Sequence, residues 1–183
     1  MNKSLRVILG VTGSIAAYKA AELCRRLKEK DIRVSVVMTK CAEKFITPLT
    51  MAGLSGEKTY NSLFGKNQEN SIMPHIDLAQ ETSAVVIAPA TANIIGKMAC
   101  GLADDLLTCI ALGTKAPILI APAMNTEMYN NKIVQENCEK LKKAGMMFIT
   151  PVSGKLACGV VGQGHIAAEE DIINAVLKAI KYN

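Results

Sequence analysis

The sequence predicts an α/β fold: a mostly parallel sheet with helices on both faces. Three observations carry that reading. Residues 84 to 88 (AVVIA) and 118 to 121 (ILIA) are short apolar runs without charge or alternation, as strands covered on both sides read. Residues 5 to 28 pass from a β-rich run through Thr12-Gly13-Ser14 into helical periodicity, which is strand, tight turn, helix. Hydrophobic residues make up 50% of the chain and aromatics only 4%, so Ala, Val, Ile, Leu and Met must fill the core, as is ordinary for a helix-covered parallel sheet.

The 183 residues are read as one domain, 1 to 183, large enough to bury a substantial core without staples. The longest apolar runs are too short to cross a bilayer and residues 1 to 9 lack a signal-peptide apolar region, so no membrane partner and a cytoplasmic location are expected. The six cysteines (24, 41, 100, 109, 138, 158) form no CxxC pair and are read as thiols. With two histidines and no paired cysteines, no metal site is expected. The net charge of +5 is spread along the chain without aromatic interleaving, which argues against nucleic acid and suits anionic small molecules.

In chain order, residues 5 to 11 form the first strand and 15 to 28 the first helix, with Ser14 as a fitting N-cap. Gly13 permits close backbone approach, and free N–H groups at a helix start attract phosphate. The spacing Gly10-x-x-Gly13-Ser14 is not the GxGxxG fingerprint, and an ordinary strand-to-helix turn accounts for it equally well. Residues 33 to 38 (RVSVVM) form the second strand and end at Thr39-Lys40, where a dinucleotide-binding fold places an acid for the ribose. That omission counts against NAD and favours a mononucleotide phosphate or ribityl chain. Residues 42 to 53 read as helical, with Thr47-Pro48 opening a second turn or helix. Residues 58 to 74 have little periodicity and are expected to be a long loop delivering His75.

The strands at 84 to 88 and 118 to 121 are expected to stop at Pro89 and Pro122, since proline cannot donate to a sheet ladder. Gly101 closes the helix after Pro89-Ala90-Thr91-Ala92-Asn93, and Asp104-Asp105 opens the next as solvated carboxylates suited to its dipole. Residues 132 to 144 form an amphipathic helix, 146 to 149 a final strand and 169 to 181 the closing helix, while four glycines within 151 to 165 predict a mobile loop.

Functional candidates gather where strands end. Asn125, just past a central strand, offers donors and an acceptor without charge, which suits a carboxylate or amide ligand; capping the following helix is the alternative. Small residues in Ala88-Pro89-Ala90 and Ala121-Pro122-Ala123 let the backbone approach a planar ligand, with Thr91 and Asn93 bonding its edge. His75 is either a structural imidazole or an acid/base group. Cys158, between Ala157 and Gly159, is the thiol expected to be exposed; the other five are read as packing.

Together, Gly13-Ser14-Ile15-Ala16-Ala17-Tyr18-Lys19, the His75 segment, Pro89 to Asn93, Pro122-Ala123-Met124-Asn125-Thr126-Glu127-Met128 and Ala157-Cys158-Gly159 resemble the flavin-dependent cysteine decarboxylases, over essentially the whole chain. Within that family the branch acting on 4′-phosphopantothenoylcysteine in coenzyme A biosynthesis is the nearest. The resemblance implies a Rossmann-like or flavodoxin-like three-layer fold, bound FMN, and homotrimers, sometimes dodecamers, with active sites between subunits. It implies that Gly13, Ser14, Ile15, Thr39, Ala90, Thr91 and Ala123 line FMN and that His75 is the acid/base residue of the oxidative half. Asn125 would bind the substrate carboxylate, helped by Met128 and by the flap at Ala157, and Cys158 would donate the proton in the reductive half. The implied route removes carbon dioxide through a thioaldehyde and an enethiolate to give 4′-phosphopantetheine.

Two positions depart from the family: Tyr129 stands where Trp is usual and His165 where an Arg commonly follows Gly-x-Gly. Without the synthetase domain often fused to bacterial relatives, the chain is read as a monofunctional form. Peptidyl-cysteine decarboxylases stop at the enethiol and have no use for Cys158, flavin prenyltransferases lack the PxMN motif, and a purely regulatory flavin-binding subunit need not keep His75, Asn125 and Cys158 together. Cys158 therefore favours the coenzyme A reaction, and the three residues together favour catalysis without excluding a second role.

Overall fold

The computed structural model describes residues 5–64, 73–155 and 161–181. Strands β1 (Arg6–Val11), β2 (Arg33–Met38), β3 (Ala84–Ala90), β4 (Ile118–Pro122) and β5 (Met147–Phe148) form one parallel sheet in the order β2-β1-β3-β4-β5. The helices are α1 (Lys19–Lys28), α2 (Pro48–Ser55), α3 (Pro74–Glu81), α4 (Ala92–Ala99), α5 (Leu106–Gly113), α6 (Thr126–Asn130), α7 (Lys132–Lys143) and α8 (Glu169–Lys181). An antiparallel ribbon, β6 (Val152–Lys155) with β7 (Val161–His165), follows the sheet.

The absence of alternation in the strands has its cause in two separate cores. Val7, Leu9, Val11, Val86, Leu119 and Ala121 face one side, against α1 and α8. Ile8, Val85, Ile87, Ile118 and Ile120 face the other, against α3, α4, α5 and α7. Side chains alternate in direction along each strand, yet both directions are buried, so every position stays apolar. The three-layer α/β architecture expected from the sequence is the one observed. Gly10 sets the spacing of one layer: a Cβ there would come within 2.7 Å of Leu107 Cδ1, so α5 lies directly on β1.

Several local expectations are corrected. Residues 42 to 47 are not α-helical but hold a 3-10 turn, Ala42–Lys44, whereas the second helix opens at Thr47-Pro48 as expected: α2 starts at Pro48 and its N-cap Thr47 accepts from the Thr50 N–H. Pro122 ends β4 as expected, whereas Pro89 does not halt β3, which runs on to Ala90 with a register shift between Ile87 and Ala90 that absorbs the missing donor. His75 lies in the first turn of α3, not in a loop, with Pro74 at the helix start. The described parts of the glycine-rich stretch form the β6-β7 ribbon, Val152–Lys155 with Val161–His165. Cys41 and Cys100 are exposed rather than packed, whereas Cys24 and Cys138 are buried; burial pushes the Cys24 thiol up to about 11. Among the described residues no helix is long and apolar enough to cross a membrane.

Leu107 is 1% exposed and covers Gly10. Its replacement by Ala should cost about 2–5 kcal/mol, read as a lower urea midpoint at unchanged slope.

Candidate functional site

A doubly wound sheet changes its winding direction between β1 and β3, and there the connecting segments diverge and leave a crevice at the carboxyl ends of the strands. In this chain a cavity of about 1200 Å³ occupies that place, lined by segments following β1, β2, β3 and β4 and by the end of β7.

The β1 end is built for close approach. A Cβ on Gly13 would lie 2.4 Å from Cys41 Cβ, so only glycine lets the turns after β1 and β2 meet. Ser14 caps the 3-10 turn Ile15–Tyr18, its Oγ accepting from the Ala16 N–H at 3.3 Å. Thr39 is tied to β1 by its N–H on the Val11 carbonyl at 3.0 Å. Gly13, Ser14, Ile15 and Thr39 all reach the cavity wall.

The β3 end is locked to β1 through Thr12, which is 1% exposed. Its hydroxyl donates to the Pro89 carbonyl at 2.7 Å and accepts from the Thr91 N–H at 3.1 Å. Thr91 then caps α4 and lines the cavity with Asn93. Ala90 does not reach the wall: it is fully buried, and its carbonyl accepts from the Ala123 N–H at 2.9 Å. Its contribution is to hold β3 to the start of the next loop.

The β4 end carries Ala123, Met124, Asn125 and Met128 to the cavity. Asn125 caps α6, its Oδ1 accepting from the Glu127 N–H at 2.8 Å. The ribbon clamps this loop: the Met124 N–H donates to the Gly164 carbonyl at 3.1 Å, and Cβ atoms on Gly164 and Gly162 would meet the Met124 carbonyl at 2.2 Å and Thr126 Oγ1 at 2.4 Å. Gly164 also has φ +152, a conformation side-chain-bearing residues rarely adopt.

Of the three expected catalytic residues, Asn125 is the one on the cavity wall among the described residues. His75 is half-buried on α3 and is not on the cavity wall. Cys158 and Ala157 lie outside the described residues. Conversely, the cavity includes groups that sequence reasoning passed over, Cys41, residues 61 to 64 and Lys97, together with Lys19 of the first motif and His165, noted above as a departure from the family. Asp104 and Asp105 line it too. Asp105 caps α5 in a capping box with Thr108, and both carboxylates accept from Lys97 Nζ, at 2.7 and 3.1 Å. They form an ion-paired clamp across the α4–α5 connection, with Asp104 still exposed to solvent and Asp105 at the helix start as expected. Lys97 follows Asn93 by one helical turn, so the shared face was the available signal. Among the described residues no cluster suited to a metal ion is present.

Strand order and a crevice at the winding reversal define a doubly wound α/β protein that binds a nucleotide-like cofactor or substrate at the carboxyl edge of its sheet. The flavoprotein family model matches residues 1–181, and the chain belongs to that family. It is 48% identical over 161 residues, 88% of this chain, to the coenzyme A biosynthesis bifunctional protein CoaBC of Vibrio vulnificus. The match covers 40% of that relative, so the chain spans less than half the length of the curated relatives it resembles. A Cys-to-Ser mutant of a PPC decarboxylase complexed with pantothenoylaminoethenethiol is similar at 34% identity and TM-score 0.85, over 96% of this chain and 97% of that one. The FMN binding protein AtHal3 is similar at 34% identity and TM-score 0.83, over 98% of both chains.

The Lys97 hydrogen bond holds the Asp104 carboxyl below its ordinary value of 3.8. A depressed carboxyl pKa stabilises the fold above the unfolded value and loses that contribution as pH falls through the folded one. Lys97→Met should therefore lower the urea midpoint at neutral pH, and the deficit should shrink below pH 3.8.

Proposed function

We propose that this chain is an FMN-dependent decarboxylase of 4′-phosphopantothenoylcysteine, yielding 4′-phosphopantetheine for coenzyme A. The observation that carries the reading is the convergence of Gly13, Ser14, Ile15, Thr39, Thr91, Ala123, Asn125 and Met128 on one cavity at the winding reversal, in a chain similar along its length to a PPC decarboxylase.

The residues fit FMN. The Gly13 cradle has no room for a Cβ, as a backbone that must approach a phosphate requires. Ser14 and the N–H groups of the following 3-10 turn adjoin it. Lys19 and Lys40 line the same side and have no ion pair among the described residues, which leaves positive charge for an anion. Thr39, Thr91 and Asn93 offer hydrogen bonds between apolar walls that include Met38, Ile94 and Leu106. When bound, FMN supplies reversible hydride acceptance, the electron sink that a C-terminal cysteine lacks.

The protein's own part is orientation and proton transfer. The Asn125 Oδ1 is held by the Glu127 N–H, so its Nδ2 is the atom to orient the substrate carboxylate. His75 handles the proton of the substrate thiol in the oxidative half. Cys158 delivers a proton to the substrate carbon in the reductive half. Net, carbon dioxide leaves and one proton takes its place, so the reaction is redox-neutral.

A site containing His75 needs a second copy of the chain, since His75 is off the wall of its own cavity. The surface supports association: Ile15 and Tyr18 are each 62% exposed and Phe64 93% at the cavity rim, and Met73 and Ile76 flank His75 at 51% and 41%. We therefore infer a homotrimer, with assembly into a dodecamer left to the same apolar surfaces.

Purified protein should be yellow and release carbon dioxide from 4′-phosphopantothenoylcysteine; a colourless or inert preparation would reject the assignment. Cys158→Ser should still release carbon dioxide but accumulate the enethiol, detectable by mass spectrometry. His75→Asn and Asn125→Asp should each be inactive alone, whereas co-refolding equal amounts should restore about a quarter of the sites if two copies share each one. No recovery would mean that the site lies within one chain.

A further inference from the structure

Permanent charge lines the cavity in two places. Lys19, on the helix α1 that covers one face of the sheet, and Lys40, beyond the end of β2, hold the positive charge assigned above to an anion. Lys97, Asp104 and Asp105 belong to α4 and to the segment that opens α5, the helices that cover the other face. There one ammonium meets two carboxylates, so this second group carries a net charge of −1.

The geometry fixes that charge in place. Lys97 Nζ donates to Asp104 Oδ1 at 2.7 Å and to Asp105 Oδ2 at 3.1 Å. The other oxygen of Asp105 accepts from the Thr108 N–H at 2.9 Å and closes the cap of α5. An ammonium held by two carboxylates cannot swing out to meet new negative charge without giving up those bonds. The side chains of Lys97 and Asp105 are 21% and 28% exposed, so water screens the group only in part. Lys97 stands four residues beyond Asn93 on α4, on the same helix face. The group therefore adjoins the stretch of wall that offers hydrogen bonds to the edge of a planar ligand.

Reduction changes the charge of a flavin. Uptake of a hydride equivalent, two electrons and one proton, adds one negative charge to the ring system, and fixed charge nearby sets how costly that is. In the decarboxylase reading the hydride leaves the carbon bearing the substrate sulfur and returns to that carbon after carbon dioxide has gone, so the cofactor must not keep it.

We propose that the Lys97, Asp104 and Asp105 group sets the reduction potential of bound FMN: its net negative charge disfavours the anionic reduced cofactor against the oxidised one and so favours return of the hydride. The inference rests on the FMN reading above. The three residues act through their field on the cavity, as tuning residues.

The test measures the midpoint potential of bound FMN by anaerobic equilibration with a reference dye, at a mildly alkaline pH at which reduced flavin is anionic, and the Kd of oxidised FMN by fluorescence titration. It compares wild type, Lys97→Met, Asp104→Asn and the double variant, in which the group carries −1, −2, 0 and −1 in turn. Each unit of charge should alter the ratio of the affinities for reduced and oxidised FMN by about tenfold, the scale of unit charges about 10 Å apart in a partly screened site, which is about 30 mV for a two-electron couple. Lys97→Met should lower the potential by that amount, Asp104→Asn should raise it by that amount, and the double variant should return to the wild-type value. The Asp104 side chain is 59% exposed, so Asp104→Asn leaves no buried group unpaired and decides the matter alone if Lys97→Met fails to fold. Potentials that agree in all the folded proteins overturn the proposal. So does a double variant that keeps the deviation of either single one, since that pattern belongs to a structural role of the ion pair and not to its charge. Wild-type protein that binds no FMN removes the cofactor reading and this one with it, a result distinct from a yellow wild type whose potential is indifferent to both substitutions.

Discussion

The bridge made by Thr12 is the constraint on which the site depends. A parallel sheet that winds outward in both directions from β1 and β3 has no covalent link between those strands at their carboxyl ends, where the connections leave in opposite directions. The buried Thr12 hydroxyl supplies the link by donating to Pro89 and accepting from Thr91. It satisfies a carbonyl and an N–H that the register shift takes out of the regular ladder. Thr91 can then cap α4, and the Ala90 carbonyl is presented to the Ala123 N–H. The order β1, β3, β4 is thereby fixed edge to edge by three hydrogen bonds outside any regular strand pairing.

The same economy governs the loop after β4. Five residues of α6 have no buried side chain, so packing does not hold that helix in place. It is held at its N-terminal end, by the Asn125 cap and by β7, which bonds Met124 and packs against Thr126. The glycines of β7 that sequence reasoning took as a sign of mobility are required by contact: Gly162 against Thr126 and Gly164 against Met124. Glycine in a strand interior marks a place where another backbone comes close as often as it marks flexibility.

How far each feature was legible follows from how local its cause is. The four main strands were readable because burial on both faces writes itself into four or five consecutive residues, as in AVVIA and ILIA. The caps Ser14, Thr47 and Asn125 were readable because a cap is a bond between residues two or three apart. β5, two residues long, carries too little pattern to be bounded. The start of α3 was missed although Pro74 marks it, because the stretch before it has no periodicity. The Lys97 clamp and the exposure of Cys41 depend on contacts between separate elements, which no local window contains. The family resemblance supplied the cofactor, but not the position of His75 relative to the cavity.

For Asn125, capping and ligand binding were posed as alternatives, and the cap is observed without excluding the other role. An uncapped carboxamide rotates and presents oxygen or nitrogen to a ligand indifferently. Once Oδ1 accepts from the Glu127 N–H at 2.8 Å, the two ends of the amide are distinguished and Nδ2 becomes the donor. Under the proposed function, a neutral donor fixed in this way would suit a carboxylate that must later depart as uncharged carbon dioxide, because a cation in that position would stabilise the charged ground state and resist the loss of its charge. The permanent charges on the cavity wall accordingly sit elsewhere: Lys97 is compensated by its two aspartates, and Lys19 and Lys40 lie beyond the ends of β1 and β2.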